Sequence, residues 1–271
     1  MKTMTRHFIP DNFVVPVQFE TPDFILRKLT TGDVEQDFDA VMSSKESLRQ
    51  IFGPNDTWPS DEMTLEDNYK DLQEHESDFD QRAGFTYTVI ESDEQFCLGC
   101  VYIYPSPPKQ YDVRVYYWVR DSAKSQGLEE KLGDFLHHWL ADVWPFRSPA
   151  FPGREIPWKE WEVLMSRQVV DSWFDAFRKK DISLLKLAED FVHTSPFGEI
   201  KGRDAYLAIV QENPEAFFRP TIEVVDILED GHKFAVRYLL DGNPSCDCIY
   251  VRNGQIAEIY SYYHYGDKPT F

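Results

Sequence analysis

No apolar run in this chain approaches the roughly 18 residues that a membrane-spanning helix needs, and the opening MKTMTRHFIPDNF lacks the continuous apolar segment of a signal peptide. A cytoplasmic protein with no membrane partner is expected. Basic residues are also in short supply, 28 against 47 acidic, leaving a formal charge of -19. A field of that sign opposes nucleic acid, anionic membranes and anionic ligands unless a local site overcomes it. Cysteine is limited to Cys97, Cys100, Cys246 and Cys248, which are expected to be reduced in the cytoplasm. A four-thiolate zinc site is not expected from them, because positions three apart on a strand point to opposite faces and Cys97 and Cys100 would converge only around a bend. No metal site is expected elsewhere either, since the adjacent His137 and His138 point to different sides of a helix. Internal repeats and low-complexity tracts are absent too. What remains is a globular composition, 42% hydrophobic and 15% aromatic, in a chain long enough for two modest domains.

The boundary between them is predicted at PFRSPAFPGREIPW, whose four prolines and one glycine cannot sustain a helix. Upstream, FILRKL reads as a strand and DVEQDFDAVMSSKESLRQIF as a helix with Val34, Phe38, Val41 and Met42 on one face. A second helix, TLEDNYKDLQEHESDF, is capped by Thr64 with Asp67 three residues on. Three strands follow, FTYTVIES, FCLGCVYIYPS and YDVRVYYWV, and then a helix over GLEEKLGDFLHHWLADVW. Downstream, MSRQVVDSWFDAFRKKD, SLLKLAEDF and the stretch from Asp204 to Glu212 are predicted helical. Strands TIEVVDILE, KFAVRYLL, PSCDCIYV and QIAEIYSYYHY are separated by Asp230-Gly231, Asp241-Gly242 and Asn253-Gly254, strong hairpin signals.

The order strand, two helices, three strands and a helix opening at a glycine turn, over roughly residues 20–145, resembles the GNAT acyltransferase superfamily. That family's Arg/Gln-x-x-Gly-x-Gly/Ala pattern corresponds here to Lys124-Ser-Gln-Gly127-Leu-Glu129. The resemblance implies acetyl-CoA as cofactor, with its pyrophosphate held at a helix start by Val119, Lys124, Ser125, Gln126, Gly127 and Leu128. Glu129 departs from the pattern, placing a negative side chain where the backbone should approach phosphate. In the first turn of a helix such an acid also interacts favourably with the dipole, so Glu129 and Glu130 can replace the ligand. Asp112 is a candidate general base on the fourth family strand. The later half of the family fold has room here for only a short strand near SPAF.

Residues 165–267, through WFDAFRKKD, HTSPFGEIKGRDAY and VRNGQIAEIYSYY, are similar to the SnoaL-like and ketosteroid-isomerase-like cone fold. This resemblance implies an apolar interior pocket for a small molecule. The isomerase positions for base, oxyanion donor and second acid fall on Ser195, Trp173 and Asp247, and the last-strand acid of other relatives falls on Ser261. His193, Tyr206, Arg237 and Tyr263 are expected to face the same space, with Phe177 in its aromatic lining. The expected fold class is α+β in two domains, a shortened GNAT-like mixed α/β domain over residues 1–144, a proline-rich linker over 145–161, and a SnoaL-like cone with a curved antiparallel sheet over 162–271. Three functions stay open: an acetyl-CoA-dependent N-acetyltransferase-like protein, a ligand-binding protein using the cone, and a scaffold for a homodimer joined through the tyrosine-rich last strand.

Overall fold

A computed structural model of the chain describes residues 8–263. His264 and the end of the predicted last strand lie outside them. The chain divides into two compact units, one ending at Trp158 and the other beginning at Lys159.

The first unit opens with strands β1 (Gln18–Glu20) and β2 (Ile25–Lys28), then helices α1 (Val34–Ser43), α2 (Lys45–Leu48) and α3 (Leu65–Gln81). The single helix predicted over 33–52 is broken at Ser44, where the backbone leaves helical geometry (φ -125°, ψ 13°). Its buried face also differs from the expected one: Asp37, Ala40, Val41, Ser44 and Leu48 are buried. Helix α3 starts at the expected Thr64–Asp67 capping box. Strands β3 (Phe85–Ile90), β4 (Cys97–Pro105) and β5 (Val113–Val119) come next, followed by α4 (Asp121–Lys124), α5 (Leu128–Val143) and β6 (Pro149–Ala150). The sheet order is β1-β2-β3-β4-β5-β6, antiparallel except for the β5–β6 pair. Strand alternation divides the core in two. Val113, Val115, Tyr117 and Val119 join the α5 side with Leu132, Leu136 and Trp139. Tyr116 and Trp118 join the side of α1, with Ala40, Val41, Cys97 and Cys100.

Cys97 and Cys100 share a face, against expectation. The β3–β4 register slips between Val89↔Gly99 and Ile90↔Cys97, so Leu98 is an extra residue and the strand bulges. Gly99 permits the bend, since a Cβ there would lie 2.0 Å from the carbonyl oxygen of Trp118.

The second unit packs α6 (Trp158–Lys179), all but its first residue, against a sheet made of β7 (Leu187–Ser195), β8 (Gly198–Lys201), β9 (Ile222–Asp230), β10 (Lys233–Leu240), β11 (Asn243–Arg252) and β12 (Gln255–Tyr263). Short helices α7 (Arg203–Glu212) and α8 (Pro214–Phe217) lie between β8 and β9. Sheet order is β8-β7-β12-β11-β10-β9, antiparallel apart from β7–β12. The expected helix SLLKLAEDF is instead a single 3₁₀ turn, Ile182–Leu184, leading into β7. Pairing with β12 outweighs the weak local helical pattern. Hairpin turns fall where predicted, with positive φ at Gly231, Asp241, Gly242, Asn253 and Gly254. Bulges interrupt β9–β10, β11–β12 and the β12–β7 pair, increasing local twist and bend.

Candidate functional site

In the first unit, the helix start at Gly127 is built as expected but used differently. Gly127 takes the left-handed conformation at φ +73° just before α5, a geometry that glycine adopts at little cost. The turn then spends its own donors. Gln126 N–H donates to the Ala123 carbonyl and Gly127 N–H to that of Lys124. Lys124 Nζ turns to Ser47 Oγ at 2.8 Å and Asp121 Oδ1 at 3.2 Å. Asp112, the candidate base, accepts backbone N–H groups from Arg147 and Ser148 and so anchors the segment entering β6.

Strand β6 pairs with β5 only at Val113 and Arg114, so Val115–Val119 present an edge that β6 does not cover. Arg154 occupies that edge. The tight turn after β6, with Gly153 at φ +78° against the Trp158 ring, projects its guanidinium over the Tyr117 ring at 3.7 Å. From there it donates to the Tyr117 carbonyl at 2.9 Å and to Glu129 Oε1 at 2.7 Å. Glu129 is thus neutralised across the gap. Beside this pair lies a cavity of about 310 Å³ whose lining includes Ser47, Arg49, Tyr116, Gly153 and Trp158. The residues present do not fit a CoA diphosphate as they stand: two of the expected amides are spent in the turn, the lysine is drawn away, and an acid in the first helical turn is held by its own cation. Residues 145–161, expected as a linker with room for a short strand near SPAF, contain that strand as β6, together with Arg154 and Trp158, to which the sequence assigned no role.

The second unit gathers a polar cluster inside its apolar core. Inward positions on the strands are Phe234, Val236 and Tyr238 on β10, Ser245, Asp247 and Ile249 on β11, and Ile259 and Ser261 on β12. Asp247 is 3% exposed. Its carboxylate accepts the Tyr238 hydroxyl at 2.9 Å, with further hydrogen bonds from Ser261 and Trp173. Burial pushes the carboxyl up to about 6, those three donors holding it back. Ser261 Oγ also lies 2.9 Å from His193 Nε2. The hydroxyl has one proton and a carboxylate can only accept, so Ser261 donates to Asp247 and receives a hydrogen bond from His193 Nε2–H. Burial pushes His193 down to about 4, so the imidazole is neutral near pH 7. Tyr206 packs edge-on against His193 at 5.4 Å and beside Trp173 at 6.0 Å. Phe177 meets Trp173 at 5.6 Å, and Tyr263 is half-buried against the same core.

Two expected members are elsewhere. Arg237 lies on the opposite face from Val236 and Tyr238, paired with Asp226 and 62% exposed, because neighbouring strand positions alternate sides. Ser195 closes the β7–β8 turn, its Oγ accepting Phe197 N–H at 3.2 Å. Tyr238 was missed, although the alternation Phe234, Val236, Tyr238 in KFAVRYLL places it inward. A buried tyrosine hydroxyl calls for a partner. Tyr238 also borders an open cavity of about 440 Å³ whose lining includes the outward-facing Val225, Arg237, Cys246 and Tyr262 as well as Pro244 and Ser245.

The chain matches two protein-family models, an acetyltransferase (GNAT) domain over residues 23–180, more than half of its length, and a SnoaL-like domain over residues 170–259. No curated protein matches it. Among solved structures, it is similar to an NTF2-like protein of unknown function from Cytophaga hutchinsonii, 16% identical, covering 36% of this chain and 89% of that one with a TM-score of 0.32. A SnoaL-like protein of unknown function from Burkholderia thailandensis is 17% identical, covering 37% and 94% with a TM-score of 0.34. An NTF2-like protein of unknown function from Mesorhizobium loti is 19% identical, covering 38% and 93% with a TM-score of 0.34. Among the described residues no helix is long and apolar enough to cross a membrane.

Proposed function

The chain belongs to the acetyltransferase (GNAT) domain family and carries a SnoaL-like domain behind it, and from that premise we propose a small-molecule-binding protein whose chemistry is centred on Asp247 in the second domain. The observation that carries this reading is a buried carboxylate facing three donors, Tyr238, Ser261 and Trp173, in an otherwise apolar core. A carboxyl held at about 6 exchanges a proton readily near neutral pH, the property required of a general acid or base. His193 extends the chain through Ser261 and fixes the direction of that hydroxyl. The ligand that suits this setting is small, neutral and largely apolar, with one carbonyl or hydroxyl to meet Tyr238 or Asp247. Ligand-observed NMR with neutral aromatic ketones, lactones and phenols tests it. Binding that is weakened at least severalfold by Asp247→Asn and by Tyr238→Phe supports the reading, and binders indifferent to both substitutions, or no binders, overturn it.

Acetyl-CoA-dependent N-acetyl transfer is the second reading, supported by a β5 edge at Val115–Val119 that β6 leaves unpaired and the Arg154 side chain fills, and by Gly127 before α5. Calorimetry with acetyl-CoA separates the two, since transfer requires heat of binding in the unmodified protein. We also propose a homodimer through the outer face of the second domain's sheet, supported by the exposed Leu228 and Tyr262.

A further inference from the structure

The first unit holds three metal-ligating side chains in one buried cluster that neither domain's proposed chemistry uses. Asp37 projects from α1, and Cys97 and Cys100 from either side of the Gly99 bulge in β4. Their donor atoms all lie within 4.8 Å of one another, and all three residues are buried. Cys100 Sγ is 3.3 Å from Asp37 Oδ1. In a tetrahedral zinc site, with Zn–S about 2.3 Å and Zn–O about 2.0 Å, the S···O edge is about 3.5 Å and the S···S edge about 3.8 Å. The Cys100–Asp37 edge is already near that spacing, and the other two edges, each within 4.8 Å, close to it with small side-chain movements.

The surroundings point the same way. Asn68, fully buried on α3, donates from Nδ2 to the other carboxylate oxygen, Asp37 Oδ2, at 2.9 Å, the outer contact that orients a ligating carboxylate. Its own Oδ1 is buried without a hydrogen-bond partner. A buried carboxylate ordinarily needs a cation, yet Asp37 is met by an amide and a thiol and by no lysine or arginine among the described residues. The bulge gives this arrangement a sequence cause: in an unbulged strand Cys97 would face α5 and the two thiols would be separated by the sheet.

We propose that Asp37, Cys97 and Cys100 form a structural site for a divalent cation of zinc type, with the Asn68 carbonyl or a water completing the tetrahedron. Two thiolates and one carboxylate suit a borderline-soft ion over calcium or magnesium. Binding releases the two thiol protons to solvent, so affinity falls as pH falls. The ion is taken up as α1 closes on β4, because the donors are buried in the folded unit.

The test is refolding of the full chain from guanidinium under reducing conditions, with chelator or with Zn²⁺. Expected are about one zinc retained per chain after desalting, as for a structural site, and a raised unfolding midpoint. Refolding with Co²⁺ should give a thiolate-to-cobalt charge-transfer band that is reduced by about half or more in Cys97→Ser and weakened or shifted in Asp37→Asn. Should a variant fail to refold, the unmodified chain still decides. Equal midpoints with and without Zn²⁺, no retained metal and no charge-transfer band overturn the proposal, as does a band unchanged in both variants.

Discussion

Asp247 and His193 sit two hydrogen bonds apart and respond to pH in opposite senses. Burial raises Asp247 from 3.8 to about 6, so between those values the folded protein holds a proton that the unfolded chain has released. Stability contributed by this group is complete below about pH 4 and is lost as pH rises through about 6, a change of about 3 kcal/mol for a shift of about two units. His193 is lowered from 6.5 to about 4, so its contribution is present above about 6.5 and lost as pH falls through about 4. Asp37, also raised to about 6, adds to the Asp247 sense. In Asp247→Asn the loss of stability between about pH 4 and pH 7 should shrink by about 3 kcal/mol relative to the unmodified protein, measured by denaturant unfolding at both values. An unchanged pH profile would show that Asp247 is not perturbed. Tyr238→Phe makes the converse change, removing one donor to the carboxylate, and should raise the Asp247 pKa by about one unit or more, read by carboxyl-carbon NMR. The sequence indicated Asp247, Ser261 and Trp173 through family resemblance and His193 through its place on the strand, but it included Arg237 and left out Tyr238. Strand parity along β10 separates the two, with Tyr238 inward and Arg237 outward.

At the scale of elements, the strands and their hairpins were legible because Asn-Gly and Asp-Gly turns and alternating apolar positions are local signals. β7 was not, because its partner β12 is about 70 residues away in sequence and short apolar runs do not distinguish strand from helix. The β4 bulge was equally hidden, since it requires a slip against β3 and a close carbonyl from Trp118, although Gly99 marked the place. Gly99→Ala sets a methyl 2.0 Å from that carbonyl and should cost about 3 kcal/mol or more by displacing β4 from β5, seen as a lower thermal midpoint. The Arg154–Glu129 pair across the β5 edge depends on a turn after β6 that reads only as proline-rich sequence. Glu129→Gly together with Arg154→Ala removes both the acid and the plug. Acetyl-CoA affinity measured by calorimetry should rise roughly five- to thirtyfold over the unmodified protein, the effect of about 1–2 kcal/mol at a helix start. If the double variant binds no better, the spent amides of Gln126 and Gly127 are the limiting defect.

For the whole molecule, association of two copies sets exposed apolar surface against a charge of -19 on each. The outer face of the second domain's sheet carries a row in register across four strands, Tyr260, Cys248, Ala235 and Leu228, and Leu228 is 65% exposed. Tyr262 lies on that face one step along β12. A sheet face with a continuous apolar row buries it on meeting its own copy, with the row crossing itself about a two-fold axis. Like net charges oppose that encounter at low salt and are screened beyond about 10 Å at 0.1 M. The proposed homodimer should therefore tighten with added salt, the reverse of an association held by ion pairs. Leu228→Glu sets a carboxylate from each copy into the face to be buried and should give a monomer at concentrations where the unmodified chain is dimeric, with little local effect on folding because the side chain is exposed. Sedimentation equilibrium at low and moderate salt reads both effects. A monomer under every condition, or a dimer that persists in Leu228→Glu, would move any self-association away from this face.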